Sequence, residues 1–115
     1  MLRKSPRRIG ARWQARAPVF AALGDKTRLL LVAKLCAGHP RSISQLTAGT
    51  PLTRQAITKH LRVLERAEIV RCARRGRESL FELDPEAIEE MKKYLDDVSR
   101  QWDRALARLK SFVEA

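Results

Sequence analysis

The sequence predicts a mainly α-helical domain with one small β-hairpin, and three patterns lead to this fold class. Apolar residues recur at helical spacing through residues 53–66, an extended pattern with a glycine turn follows at 69–83, and a heptad stripe occupies about 85–113. A chain of 115 residues can bury one modest core. We therefore expect a single domain over residues 13–115, preceded by a basic, flexible arm over residues 1–12.

The charge of the chain is strongly basic and unevenly distributed. Its 24 Lys and Arg residues outnumber 13 acidic residues, and the net charge of +11 favours a polyanionic partner such as nucleic acid. Residues 1–64 hold 13 basic residues and a single acid, Asp25, whereas residues 78–103 hold nine acids and three basic residues. The basic part is expected to meet phosphate, and the acidic part is expected to stay away from it.

Membrane and disulfide signatures are both missing from the sequence. No apolar run approaches the roughly 18 residues of a membrane span, and the basic N-terminus is not followed by the apolar core of a signal peptide. We therefore expect a cytoplasmic protein with no membrane partner. Cys36 and Cys72 are too few and too far apart for a disulfide framework, and we expect them to be small buried residues.

Two helices are predicted before residue 40. The first covers residues 13–23, with Pro18 in its first turn or at its start, and Gly24 ends it. The second covers residues 26–37, with Asp25 as its N-cap. Its predicted core positions are Leu29, Leu30, Val32 and Leu35.

A short helix capped by Ser42, a tight break at residues 49–51 and a second helix capped by Thr53 form a helix-turn-helix pattern. In the second helix, 53–66, an apolar face is opposed by a cationic face without carboxylates. Such a face suits base edges and phosphates, although a merely solvated face is the alternative. His60 is either a DNA contact or a helix-packing histidine. The expected contacts from this motif are Ser44, Gln45, Thr53, Arg54, Gln55, Thr58, Lys59, His60 and Arg62.

Two β-rich runs, 69–75 and 79–83, flank Gly76 and predict a hairpin. It would follow directly after helix 53–66, which is the recognition helix of the helix-turn-helix motif. A hairpin in this position is a wing. Its tip carries Arg74, Arg75 and Arg77, whose guanidinium groups would reach phosphates or a narrow minor groove.

The last predicted element is a long helix that begins after Asp84, with Pro85 at its first position. Its apolar residues follow an a/d heptad pattern over about 40 Å. An apolar stripe of this length is longer than one small domain can bury against itself. We expect a homodimer, and the alternative is that the stripe folds back on its own domain. The expected interface residues are Trp13, Phe20, Ile88, Met91, Leu95, Val98, Trp102 and Leu109.

These motifs resemble the ArsR-type winged-helix repressors. Residues 22–28, Ala-Leu-Gly-Asp-Lys-Thr-Arg, are similar to the family's Ala-Leu-Ala-Asp-Pro-Thr-Arg signature. Residues 52–61 are similar to the family's recognition helix, and residues 64–70 are similar to the turn that leads into its wing. Lys26 replaces the usual Pro, and Glu68 replaces a Gly that often ends the recognition helix in a left-handed conformation. Keeping that conformation would cost of order 1 kcal/mol.

The resemblance implies a symmetric dimer that binds an imperfect palindrome, usually near its own promoter, and represses it. It also implies DNA contacts at Thr53, Arg54, Gln55, Thr58 and His60. A small-molecule or protein inducer is compatible with the family.

Many relatives are metal sensors, but this sequence lacks their ligands. The Cys-x-Cys type site has no counterpart in residues 44–47, and no histidine follows residue 84. Cys36 and His39 form at most a half-site. We therefore expect no metal and no cofactor, and the tail 101–109 is similar to that of a metal-independent, autorepressor branch.

Other functions are compatible with parts of the sequence. A ligand- or thiol-responsive sensor of the same fold and a protein-interaction module using the heptad stripe remain alternatives. An enzyme is not expected, because the chain has two histidines and no nucleophile elbow, phosphate-binding glycine loop or triad.

Overall fold

The computed structural model describes residues 6–114, which form five helices and a three-stranded antiparallel sheet. This architecture confirms the predicted fold class. The elements are α1 (Pro6–Leu23), α2 (Lys26–Leu35), β1 (Arg41–Ser42), α3 (Ile43–Thr47), α4 (Arg54–Arg66), β2 (Val70–Arg75), β3 (Glu78–Leu83) and α5 (Pro85–Glu114).

Helix α1 begins at Pro6, earlier than the predicted start at residue 13. The expectation of an arm without structure is therefore wrong for residues 6–12. Proline suits a first helical turn because it has no N–H to leave unpaired, and the Arg and Ala residues that follow favour helix. Pro18 lies in the helix interior, where it removes one backbone hydrogen bond, and neither in the first turn nor at the start of the helix, the two positions predicted for it. The side chain of Trp13 lies outside the described residues.

Helix α2 has the predicted N-cap and a different core face. The Asp25 carboxylate accepts hydrogen bonds from the backbone N–H groups of Thr27 and Arg28 at 2.9 and 3.0 Å. The helix ends at Leu35, two residues before the predicted end. Its buried residues are Leu31 and Leu35.

Two of the predicted core residues of α2 are on its surface. Leu29 and Leu30 are 53% and 47% exposed, so their assignment to the core was wrong. Residues 29–32 are all apolar and cover more than one side of a helix. The sequence pattern therefore does not identify the side that meets the rest of the domain.

The sheet has the strand order β1-β3-β2. The β2–β3 hairpin confirms the predicted wing, with Cys72 opposite Phe81 and a turn through Gly76, which adopts φ 62°. Glycine adopts this left-handed conformation without steric cost. Strand β1 was not predicted. It pairs Arg41 with Phe81 and thereby ties the start of α3 to the base of the wing.

One hydrophobic core joins the helices to the sheet. The apolar residues of α4 lie at its centre, and Ile57, Leu61 and Leu64 are fully buried. This core fixes which side of α4 faces outward. The remaining core residues are Ala22, Leu31, Leu35, Leu46, Ile69, Val70 and Phe81.

Helix α5 leaves the domain as a long rod. Its first turn is capped by Asp84, whose carboxylate accepts a hydrogen bond from the Glu86 N–H at 2.9 Å. At 1.5 Å per residue its 30 residues span about 45 Å, and none of them is buried. Within residues 6–114, no helix combines the length and apolarity that crossing a bilayer requires.

Candidate nucleic-acid interface

Helix α4 presents a polar surface opposite its buried face. Thr53 is its N-cap, as predicted, and the Thr53 hydroxyl accepts a hydrogen bond from the Ala56 N–H at 3.1 Å. Because the buried side is anchored in the core, the outward side chains are held in a fixed register. The exposed residues on the predicted contact surface are Thr53, Arg54, Gln55, Lys59 and Arg62.

Three predicted contacts on α4 already have protein partners. The Thr58 hydroxyl donates to the Arg54 backbone carbonyl at 2.7 Å, so its proton is not free for a base. Arg62 forms an ion pair with Glu65 at 3.0 Å. That pair joins exposed side chains, so it opposes a competing phosphate only weakly.

His60 is the third. Its Nδ1 lies 3.3 Å from the guanidinium of Arg28 and 3.7 Å from the carboxylate of Asp25. Its side chain is only 25% exposed. This placement beside the α1–α2 junction favours the packing role among the two roles predicted for it.

The Asp25 carboxylate has a lowered pKa. The backbone hydrogen bond from Arg28 is the largest cause, and the positive charge of the Arg28 guanidinium and the proximity of His60 act in the same direction, against the opposing effect of burial. Asp25 is therefore held in its ionised form, and it caps α2 while it faces the recognition helix.

Helix α3 starts at a capping box. The Ser42 hydroxyl accepts from the Gln45 N–H at 3.2 Å, and the Gln45 side-chain oxygen accepts from the Ser42 N–H at 2.9 Å. Ser44 and Gln45 are both exposed, as their predicted phosphate contacts require. Because the oxygen of Gln45 is used in the cap, its amide NH₂ is the group left for DNA.

Lys34 is a structural residue of this motif that sequence reasoning missed. Its Nζ donates to the backbone carbonyls of Leu46 and Ala48, at 3.1 and 3.2 Å, at the C-terminal end of α3. These bonds attach α2 to α3 and satisfy carbonyls that the short helix leaves unpaired. A basic residue in the last turn of α2 was visible in the sequence, but nothing there indicated a partner on another helix.

The wing carries its three predicted arginines at its exposed tip. Arg74, Arg75 and Arg77 are exposed, and none of them is in an ion pair with another described residue. Arg71, nearer the base, pairs across the hairpin with Glu82 at 2.9 Å. The charge of Arg71 is thus neutralised by Glu82 near the base of the hairpin, whereas the positive charges at the tip are not neutralised.

The predicted dimer surface divides into two halves along α5. In the first half, the Phe20 and Tyr94 rings lie 5.1 Å apart and Arg16 pairs with Glu90, so α1 packs against α5. Ile88, Met91 and Val98 are half-buried. In the second half the apolar residues are exposed, and Trp102 is 67% exposed. The other exposed apolar residues of this rod are Leu95, Leu106, Leu109, Phe112 and Val113.

Both cysteines are exposed, so the prediction that they are buried was wrong. Cys36 is the C-cap residue directly after α2, and Cys72 lies in β2, where every residue after Val70 is exposed. Within residues 6–114 there is no group of three or more His, Cys, Asp or Glu side chains placed to hold a metal ion.

Comparisons with known proteins relate both the sequence and the fold to one family. Residues 25–71 match the family described as "Bacterial regulatory protein, arsR family". The chain is 32% identical over 96 residues to the HTH-type transcriptional regulator Rv2034 of Mycobacterium tuberculosis, covering 84% of this chain and 86% of that protein.

Two solved structures extend the comparison to three dimensions. An ArsR-like transcriptional regulator from Rhodococcus sp. RHA1 superposes with a TM-score of 0.73 at 32% identity, covering 89% of this chain and 95% of that one. The homodimeric winged helix-turn-helix DNA-binding domain Mb0332 of Mycobacterium bovis has a TM-score of 0.63 at 21% identity, covering 88% and 92%. At that identity it supports the fold alone. From its sequence and its fold, this chain belongs to the ArsR family of helix-turn-helix transcriptional regulators.

Proposed function

We propose that the chain is a cytoplasmic, dimeric repressor that binds palindromic operator DNA through α4 and the wing. The observation that carries this proposal is the two-sided structure of α4. Ile57, Leu61 and Leu64 are fully buried, which fixes an outward surface of amide and cationic side chains with no carboxylate other than the paired Glu65. Such a surface suits the acceptor-rich major groove.

The predicted contacts divide by chemistry into base readers and backbone contacts. Arg54 carries a forked donor, and the amide of Gln55 offers one donor group and one acceptor, so both suit base edges. Phosphate contacts, which hold the protein in register along the duplex, come from the other predicted residues. These are Ser44, Gln45, Lys59, Arg62 and the wing arginines. We extend the phosphate role to the basic residues among 1–12.

The dimer rests on the exposed second half of α5. A rod with Trp102 at 67%, Leu109 at 59% and Phe112 at 82% exposure is an unusually apolar surface for a small monomer. A second copy of the same stripe would cover it through a/d packing. Two-fold symmetry would then present two copies of α4 to a palindrome. The Mb0332 domain, which has this fold, is a homodimer.

A gel-shift titration against DNA upstream of the chain's own gene tests the proposal. We expect tight binding to one short palindrome and a steep decrease of affinity with salt, because each phosphate contact contributes about 0.9 to the logarithmic slope. Footprinting then locates the operator. Equal binding to all sequences would instead indicate a nonspecific coating protein, and no binding would favour a protein-interaction module.

Thiol-responsive repression is a second candidate, because Cys36 and Cys72 are both exposed. A response at Cys72 would place an oxidised or modified group within the wing. Gel shifts with and without a mild thiol oxidant test this. A loss of binding that Cys72→Ser or Cys36→Ser prevents would support it, and oxidant-insensitive binding would rule it out.

A further inference from the structure

A shallow depression on the surface of the helix-turn-helix has a composition different from its surroundings. It lies between the start of α3 and the first half of α4, and encloses about 420 Å³. It is lined by Ile43, Arg54, Gln55, Thr58 and Lys59, and its wall is mostly apolar although the groups at its rim are polar or charged.

Ile43 supplies a branched apolar surface that the fold holds in place. It is half-buried, packs against the core, and begins α3 directly after the Ser42 capping box. Its backbone carbonyl also accepts a hydrogen bond from the Thr47 hydroxyl at 2.6 Å. A side chain held in this way can pack against an apolar group with little further loss of conformational entropy.

Thr58 contributes a methyl group and no free hydroxyl proton. Its hydroxyl donates to the Arg54 carbonyl at 2.7 Å, so the side chain is committed to its own helix. What it adds to the depression is therefore chiefly its γ-methyl group. Ile43 and the methyl group of Thr58 are therefore the branched apolar groups in a lining that also contains the amide of Gln55.

Among the base edges in the major groove of unmodified DNA, only that of thymine carries an alkyl group, the 5-methyl group. The adenine paired with it presents the donor and acceptor that a glutamine amide matches. We propose that the depression is a thymine subsite, in which Ile43 and the Thr58 methyl group contact the 5-methyl group of one thymine in each operator half-site. This inference rests on the proposed DNA-binding function and deepens it.

Replacing thymine by uracil removes the methyl group and leaves base pairing unchanged. Each thymine of the footprinted operator is therefore replaced in turn, in both half-sites together. We expect one position at which affinity falls about fourfold per half-site, the fold-change that corresponds to ~0.8 kcal/mol for one buried methyl group. Equal affinity at every thymine, with specific binding retained, would overturn the subsite and leave the proposed function intact.

Two variants test whether this depression is the source of the effect. Thr58→Ser deletes the methyl group and keeps the hydroxyl that bonds to Arg54, and Ile43→Ala removes the other apolar wall. Both should lower the thymine-to-uracil affinity ratio toward one. This ratio is informative even if the Ile43 variant binds more weakly overall, because each variant is compared with itself on two DNAs.

Thr27→Ser is the matched control, since it makes the same chemical change on α2, outside the depression. It should keep the full ratio. If Thr58→Ser and Ile43→Ala also keep it, the methyl group is recognised elsewhere and the inference fails. A chain that binds no specific site would instead disprove the proposed function, and the subsite with it.

Discussion

The guanidinium of Arg28 lies 3.3 Å from Nδ1 of His60, which joins the first turn of α2 to the recognition helix. The same guanidinium donates through Nε to the backbone carbonyl of Ala22. Nδ1 of His60 also lies 3.7 Å from the Asp25 carboxylate, so the ring is placed between a cation and an anion. Arg28 therefore connects the end of α1, the start of α2 and α4.

We expect Arg28 and His60 to stabilise the fold together. A double-mutant cycle of Arg28→Ala and His60→Ala should give a coupling energy of about 0.5–2 kcal/mol, because contacting residues in one hydrogen-bond network are not additive. Urea denaturation of the four proteins measures it. Arg62→Ala is the control, since its only described partner is Glu65, in an ion pair at the surface, and it should change stability by less than about 0.5 kcal/mol. Additive effects at positions 28 and 60 would mean that the contact contributes nothing.

Glu68 has φ 61° at the end of the recognition helix, where the family resemblance leads one to expect glycine. A left-handed conformation costs a non-glycine residue roughly 1 kcal/mol. Glu68→Gly should therefore stabilise the protein by about that amount and raise its Tm by about 4 °C. Calorimetry measures the change.

Glu68→Ala is the control for that experiment. It removes the same carboxylate and keeps a Cβ atom, so it should bring little gain. If alanine stabilises as much as glycine, the cause is the removed charge and not the backbone conformation.

Gln55 and Arg75 should affect DNA binding in different ways. Gln55→Ala should relax discrimination at particular base pairs, by about 1–3 kcal/mol, because it removes a base-edge interaction. Arg75→Ala, at the wing tip, should weaken all sequences alike and lower the salt slope by about one, because one phosphate is no longer neutralised. Titrations on a panel of operator variants at several salt concentrations measure both. Identical profiles for the two variants would contradict the division into base reader and backbone contact.

Trp102→Asp should convert the dimer to monomers. The ring is 67% exposed within one protomer, so the change should leave the fold of the monomer intact while placing a charge in the shared stripe. Sedimentation velocity measures the association, and circular dichroism measures the fold. Arg104→Asp places the same side chain off the stripe and should leave the dimer intact. A dimer that persists in the Trp102 variant would place the interface elsewhere.

The sequence predicted those parts of the fold that depend on neighbouring residues. The caps at Asp25, Ser42 and Thr53, the apolar face of α4 and the glycine turn of the wing each involve residues only a few positions apart. Local periodicity and capping chemistry are sufficient to identify such features. The structure accordingly contains them at the expected positions.

Features that depend on a distant partner were not predictable in this way. Strand β1 has only two residues and exists because β3, some 40 positions later, pairs with it. Lys34 bonds to carbonyls on another helix, and Leu29 and Leu30 are exposed because the core lies on the Leu31 side. Tertiary packing determines each of these three features, and the spacing of residues along the sequence does not predict tertiary packing.

A dimer that presents two copies of α4 to DNA one helical turn apart should be sensitive to the spacing of its half-sites. Inserting five base pairs between the half-sites of the footprinted operator places the second half-site on the opposite side of the duplex. The affinity in a gel-shift titration should fall roughly a hundredfold or more, toward nonspecific binding. Five base pairs added outside the half-sites should have no effect. Unchanged affinity for the separated half-sites would show that the two recognition helices do not bind DNA as a rigid, symmetric pair.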